Sequence, residues 1–183
     1  MRCLPLLLLL GATLGAQEPI QFDPGDFNAR KTQARAALDQ GQPAAALKLA
    51  QPLAKQAPDD YELGYTVAKA LRLLGRLPEA ETQTQWLLDL RPELPGGRWE
   101  AALLREHFAD LTGAADLLSQ VYRATPSTRP ELRIPLLQDL VRVFTKLQLP
   151  ADAAQLQQEL QKLQKANPTH ATPPPAPAQR PHA

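Results

Sequence analysis

A proline returns at a fixed interval. Pro58, Pro92 and Pro126 stand 34 residues apart. Proline breaks helices, so its periodic return marks a recurring stop and not a helical background. Starting a unit at Phe27 and stepping by the same 34 residues reaches Tyr61 and Pro95, and further columns align without gaps. The eighth residue is Ala34, Ala68 and Ala102, and the twentieth is Ala46, Ala80 and Ala114. The twenty-seventh is Leu53, Leu87 and Val121, and the fifteenth is Gly41, Gly75 and then Ala109. Self-similarity at such a period means one supersecondary unit that buries its apolar face by stacking on copies of itself.

Each column has a physical reading. The alanines at eight and twenty are small enough for two helix backbones to cross closely. Gly41 and Gly75 fall where a first helix must stop and turn, a place that favours a left-handed backbone. Pro43 and Pro78 lie near the start of a second helix, where a missing N–H costs nothing. Pro58, Pro92 and Pro126 follow that helix and end it. Asp59 and Asp60 can cap the next helix. The composition agrees, because its apolar residues are mainly Ala and Leu and only 5% of residues are aromatic. A sandwich or barrel needs alternating β-branched and aromatic residues.

With its period, its small residues and its closing proline, the stretch from Phe27 to Thr128 resembles a tetratricopeptide repeat (TPR) array. The resemblance implies an all-α fold, a right-handed α-solenoid of antiparallel helix pairs. It comprises units at 27–60, 61–94 and 95–128, with a longer, degenerate fourth pair at 129–168. The chain departs from the family at the fourth position of the unit, where a large residue is usual and Arg30, Gly64 and Arg98 stand instead. In the fourth unit, Thr128, Arg129, Pro130 and Glu131 read as a capping box. Leu136, Leu137, Leu140, Val141 and Phe144 continue with helical spacing. Pro135 either kinks that helix or marks a later start. The last helix has one apolar stripe, Ala153, Leu156, Leu160 and Leu163, and an otherwise polar surface suited to an end cap.

The two ends read differently. Met1-Arg2, the leucine run Leu4–Leu10 and the small residues to Ala16 have the layout of a secretory signal peptide at 1–16. Cleavage after Gly15 or after Ala16 fits, and an uncleaved anchor is the alternative. Cys3, the single cysteine, leaves with a cleaved signal, which suits an oxidising compartment. The expected location is therefore periplasmic or extracellular, with membrane contact only through a retained signal. Residues 17–26 read as an extended lead-in, with Pro24-Gly25-Asp26 a turn or helix start. Residues 169–183 hold five prolines and read as a disordered tail. Without Arg2 the chain carries equal numbers of basic and acidic residues, which argues against nucleic acid as a partner.

Catalytic patterns are missing from the sequence. His170 and His182 fall in the tail, and His107 has no nucleophile elbow or phosphate loop to serve. Gly96-Gly97 reads as a bend before a helix. We therefore expect no enzyme, no cofactor and no metal. The resemblance places ligands on the concave face of first helices, at the fifth, ninth, twelfth and thirteenth residues of a unit. Carried over, unit one offers Lys31, Arg35, Leu38 and Asp39; unit two offers Tyr65, Lys69, Arg72 and Leu73; unit three offers Trp99, Leu103, Glu106 and His107. Arg133 and Leu137 are the corresponding members of the fourth. The expected protein-binding groove is Lys31, Arg35, Tyr65, Lys69, Arg72, Trp99, Leu103 and His107. Its cations imply an acidic protein or peptide as partner. The sequence thus points to an interaction scaffold of the bacterial cell envelope. The alternative is a structural subunit that assembles through its stack ends or convex face.

Overall fold

The computed structural model describes residues 24–168 as a row of four antiparallel helix pairs. Helix α1 (Pro24–Asp39) pairs with α2 (Pro43–Gln56), and α3 (Tyr61–Leu73) with α4 (Leu77–Leu90). Helix α5 (Pro95–His107) pairs with α6 (Leu111–Ala124), and α7 (Pro130–Lys146) with α8 (Pro150–Ala166). No strand occurs among the described residues. Each pair joins the next through its second helix, α2 on α3, α4 on α5 and α6 on α7. Along the other side the first helices approach one another, α1 against α3 and α3 against α5. The result is an α-solenoid. The expected signal segment 1–16 and tail 169–183 lie outside the described residues, as does the expected lead-in 17–26 except for its last three residues. Pro24, Gly25 and Asp26 form the first turn of α1.

The alanine columns are the helix crossings. Ala34, Ala68, Ala102, Ala46, Ala80 and Ala114 are all 0% exposed. Leu53, Leu87 and Val121 are buried beside them. The turn column is left-handed throughout, with φ of 71° at Gly41, 74° at Gly75, 63° at Ala109 and 59° at Gln148. Each of these residues donates to the carbonyl three back, and its successor donates to the carbonyl five back, as in Gly75 N to Arg72 O at 3.0 Å and Arg76 N to Leu71 O at 2.9 Å. This is the Schellman arrangement, and it closes all four first helices. Gln148 shows that the degenerate fourth pair keeps the turn geometry without the glycine.

Some local expectations change. Asp60 caps α3, its side chain accepting from Leu63 N at 3.1 Å, and Asp110 caps α6 through Gly113 N at 2.9 Å. The Thr128 capping box does not form: the N-cap of α7 is Arg129, which makes no side-chain cap. Pro130 fills the first helical position and shifts the start by one residue. Pro135 lies within α7 and Pro52 within α2. Gly96 and Gly97 are not a bend before α5 but part of its first turn. A Cβ on Gly96 would come within 3.2 Å of the Tyr65 ring, and the Gly97 N–H donates to the Tyr61 hydroxyl at 2.7 Å. The two glycines let two tyrosines of α3, one turn apart, seat against α5. At Gly64 a Cβ would fall 2.2 Å from the Trp86 ring. The large residue missing from the first helix is therefore supplied by the second.

Two core clusters follow from this stacking. One runs from Ala34 in α1 through Ala80 in α4 and ends on Leu104. The other joins Ala102 and the α6 face to Leu136, Leu140 and Val143 of α7. Helix α5 contributes to both. Ile134, Leu137 and Leu160 form a small third cluster between α7 and α8.

Candidate functional site

The inner face of α3, α5 and α7 encloses a groove of about 810 Å³. Tyr65, Lys69 and Arg72 enter from α3, and Trp99, Leu103 and His107 from α5. Helix α7 supplies Leu132, Pro135, Asp139, Arg142 and Lys146. Six of the eight residues expected in the groove therefore line it. Lys31 and Arg35 do not. Lys31 Nζ lies 2.7 Å from Asp60 and 3.0 Å from Glu62, and Arg35 lies 2.8 Å from Glu62. Both cations fasten α1 to the start of α3. Leu38 is buried in the core between α1 and its neighbours and offers nothing to a ligand.

The basic wall expected from the sequence is mostly internal pairing. Arg72 Nε donates to Glu100 at 2.6 Å and its second nitrogen at 3.3 Å, with Glu100 only 2% exposed. Glu106 receives Arg142 at 2.7 and 2.9 Å and Lys146 at 2.7 Å. Burial would raise the Glu106 carboxyl pKa, but the hydrogen bonds from Arg142 and Lys146 outweigh it and hold it at about 2. Trp99 Nε1 donates to Asp139 at 2.7 Å, and Asp139 also receives Arg142 at 2.6 Å. A charged ladder thus joins every first helix to the next: α1 to α3, α3 to α5 and α5 to α7. Cations already neutralised in this way do not gather into a field that attracts an acidic ligand.

What remains open to a ligand is smaller and more specific. Lys69 has no carboxylate partner among the described residues and sits 5.8 Å from the centre of the Tyr65 ring. His107 is exposed at the groove's rim. Trp99, Tyr65, Leu103, Leu132 and Pro135 give it apolar surface, and Leu73 is 47% exposed at its edge. Burial pushes the Tyr65 phenol well up, so the ring acts as a neutral wall.

The fourth unit's register differs from expectation. Arg133 does not face the groove: it donates to Thr125 O at 2.9 Å and stacks 4.0 Å over the Tyr122 ring. Leu137 is fully buried. Counted back from the left-handed turn residue, Arg142 and Lys146 occupy the places held by Lys69 and Leu73 in unit two. The turn at Gln148-Leu149-Pro150 carried that signal in the sequence.

On the outer side a second cavity of about 420 Å³ lies over α3 between α2 and α4. Gly64, Val67 and Leu71 floor it and Trp86 forms one wall. Among the described residues no group of three or more His, Cys, Asp or Glu side chains could hold a metal ion. No described helix is long and apolar enough to cross a membrane.

Solved structures share this architecture at low sequence identity. A thermophilic TPR protein of Thermus thermophilus superposes with a TM-score of 0.66 at 16% identity, covering 81% of this chain and 79% of that one. PilF of Pseudomonas aeruginosa gives 0.65 at 14% identity, covering 80% and 65%. The type III secretion translocator chaperone SycD of Yersinia enterocolitica gives 0.58 at 15% identity, covering 70% and 90%. No family model matches the sequence, and no curated protein matches it. The likeness is one of fold: the chain is a TPR-type α-solenoid.

Proposed function

We propose that this protein is a non-catalytic interaction scaffold that holds a peptide or a partner helix in the groove of α3, α5 and α7. The observation that carries the reading is the groove itself. It offers about 810 Å³ along three helices, and its aromatic and aliphatic side chains sit on a framework held by ion pairs. Interfaces draw their energy from such apolar anchors, while charges at the rim set rate and preference. Lys69 is the cation available to an acidic residue of the partner, which narrows the acidic preference to one contact. That the neighbours of the same fold include a translocator chaperone agrees with a protein-binding role. The signal-like segment 1–16 supports export to the bacterial cell envelope.

A photo-crosslinking residue in place of His107, with a control in place of the outward Lys48, tests the reading in envelope extract. Adducts at His107 that vanish on Leu103→Arg, with none at Lys48, support groove binding. Equal adducts at both places refute it. A second reading, self-assembly, draws on Leu74, Phe108 and Leu149, all exposed where first and second helices turn. Concentration-dependent sedimentation that persists in Leu103→Arg and is lost in Phe108→Ser selects that reading.

A further inference from the structure

We propose that the outer cavity over α3 is a second binding site, separate from the groove, and that it takes a small aromatic carboxylic acid. The same cleft recurs over α7, between α6 and α8, but there it holds about 160 Å³ against about 420 Å³ over α3. Counted from the turn residues Gly75 and Gln148, Val67 and Leu140 floor the two clefts at matching places. By the same count Gly64 and Leu71 of α3 correspond to Leu137 and Phe144 of α7. Counted from Gly41 and Ala109, Ala54 of α2 corresponds to Tyr122 of α6. Two aromatic rings of the chain itself therefore line and narrow the cleft over α7. The cleft over α3 lacks both. Gly64 also lets the Trp86 ring lie down against α3, where a Cβ would fall 2.2 Å from it. The space that remains is of the size ligand sites occupy, roughly 300–1,000 Å³.

Val67 and Leu71 give this space an aliphatic floor, and Trp86 gives it a flat wall. An aromatic ring packs offset or edge-on against an indole and gains more than its buried area alone supplies. Three charged side chains line the cavity: Lys55, Asp60 and Glu79. Asp60 is held by Lys31 at 2.7 Å and by the Leu63 N–H at 3.1 Å, and Glu79 by Arg76 at 2.6 and 2.7 Å. Lys55 has no ion-pair partner among the described residues. Gln51 stands one turn before it on the same face of α2 and also lines the cavity. A carboxylate thus meets an ammonium and an amide donor on the α2 wall while its ring faces Trp86 on the α4 wall.

The test titrates 2-naphthoate into the full chain and follows the two tryptophan indole N–H signals by NMR. We expect saturable movement of the Trp86 signal, with the Trp99 signal in the groove unmoved. Lys55→Gln should weaken binding about threefold to fivefold at low salt and little at high salt, as removal of an exposed charge pair does. Lys48→Gln, elsewhere on α2, should leave binding unchanged. Ala54→Tyr restores the ring present over α7 and should abolish the shift. Lys55 and Lys48 are exposed, so their variants decide the matter should Ala54→Tyr fail to fold. No movement of Trp86 at millimolar 2-naphthoate overturns the proposal, and so does equal movement of both indoles. Neutral 2-naphthamide binding as tightly as the acid at low salt overturns it too. A blocked Phe-Glu dipeptide that binds where 2-naphthoate does not is equally fatal, because the occupant is then a partner's side chains.

Discussion

Arg72 and Glu100 are the most buried ion pair of the groove, with side chains 12% and 3% exposed. Removing one partner strands a charge in the interior. Arg72→Ala should therefore lower unfolding free energy by about 3–5 kcal/mol in urea titrations, with the joint Arg72→Met, Glu100→Leu chain recovering most of the loss. Lys69, unlike Arg72, has no carboxylate partner among the described residues, so Lys69→Ala should leave the urea midpoint nearly unchanged. Thr84 is the converse case: its hydroxyl is buried with no partner. Thr84→Val keeps the shape and removes the unpaired group, so the urea midpoint should rise, by about 1 kcal/mol in free energy. At Gly75 nothing lies within 4 Å of an added Cβ, so only the backbone resists. Gly75→Ala should cost about 1–2 kcal/mol in the same titration.

Between elements, the junction of α5 and α7 is the distinctive one. α1 approaches α3, and α3 approaches α5, closely along the inner face, whereas α5 and α7 meet chiefly through Glu106, Arg142, Lys146, Trp99 and Asp139. The Glu106 pKa is lowered from 4.5 to about 2, so its stabilising effect is complete above about pH 4.5 and drains away as pH falls toward 2. Glu106→Gln should be less stable at neutral pH and should converge on the parent protein near pH 2, in denaturant midpoints measured across that range. The helix crossings give another expectation: Ala68→Leu or Ala80→Leu overpacks a fully buried contact and should cost about 1–3 kcal/mol by thermal unfolding. These crossings were legible in the sequence because backbone proximity forces a small residue at one fixed place in every unit. The ion pairs were not. Arg72 meets Glu100 and Lys31 meets Asp60 across different positions of neighbouring units, so no column displays them and the cations read as free. The register of α7 was misread from its front, where Pro130 displaced the expected cap, and was available from its rear at Gln148.

The whole molecule is quasi-one-dimensional, each pair answering only to its neighbours. Its ends are thinly anchored. Helix α8 buries only Ala153 and Leu160, while α3 buries seven residues. Amide hydrogen exchange should be slowest in α3 and fastest in α1 and α8, and uniform protection would mean a single cooperative core. The uneven contact between first helices has a mechanical consequence. Pulled from its two ends, the molecule is a spring in series, stiff where α1, α3 and α5 touch and compliant where α5 and α7 are tied by long side chains. Extension concentrates at that compliant coil, the place where the groove lies. A peptide held between Trp99 and Pro135, as proposed, should shunt the load around the soft link, so that occupancy of the groove stiffens the spring.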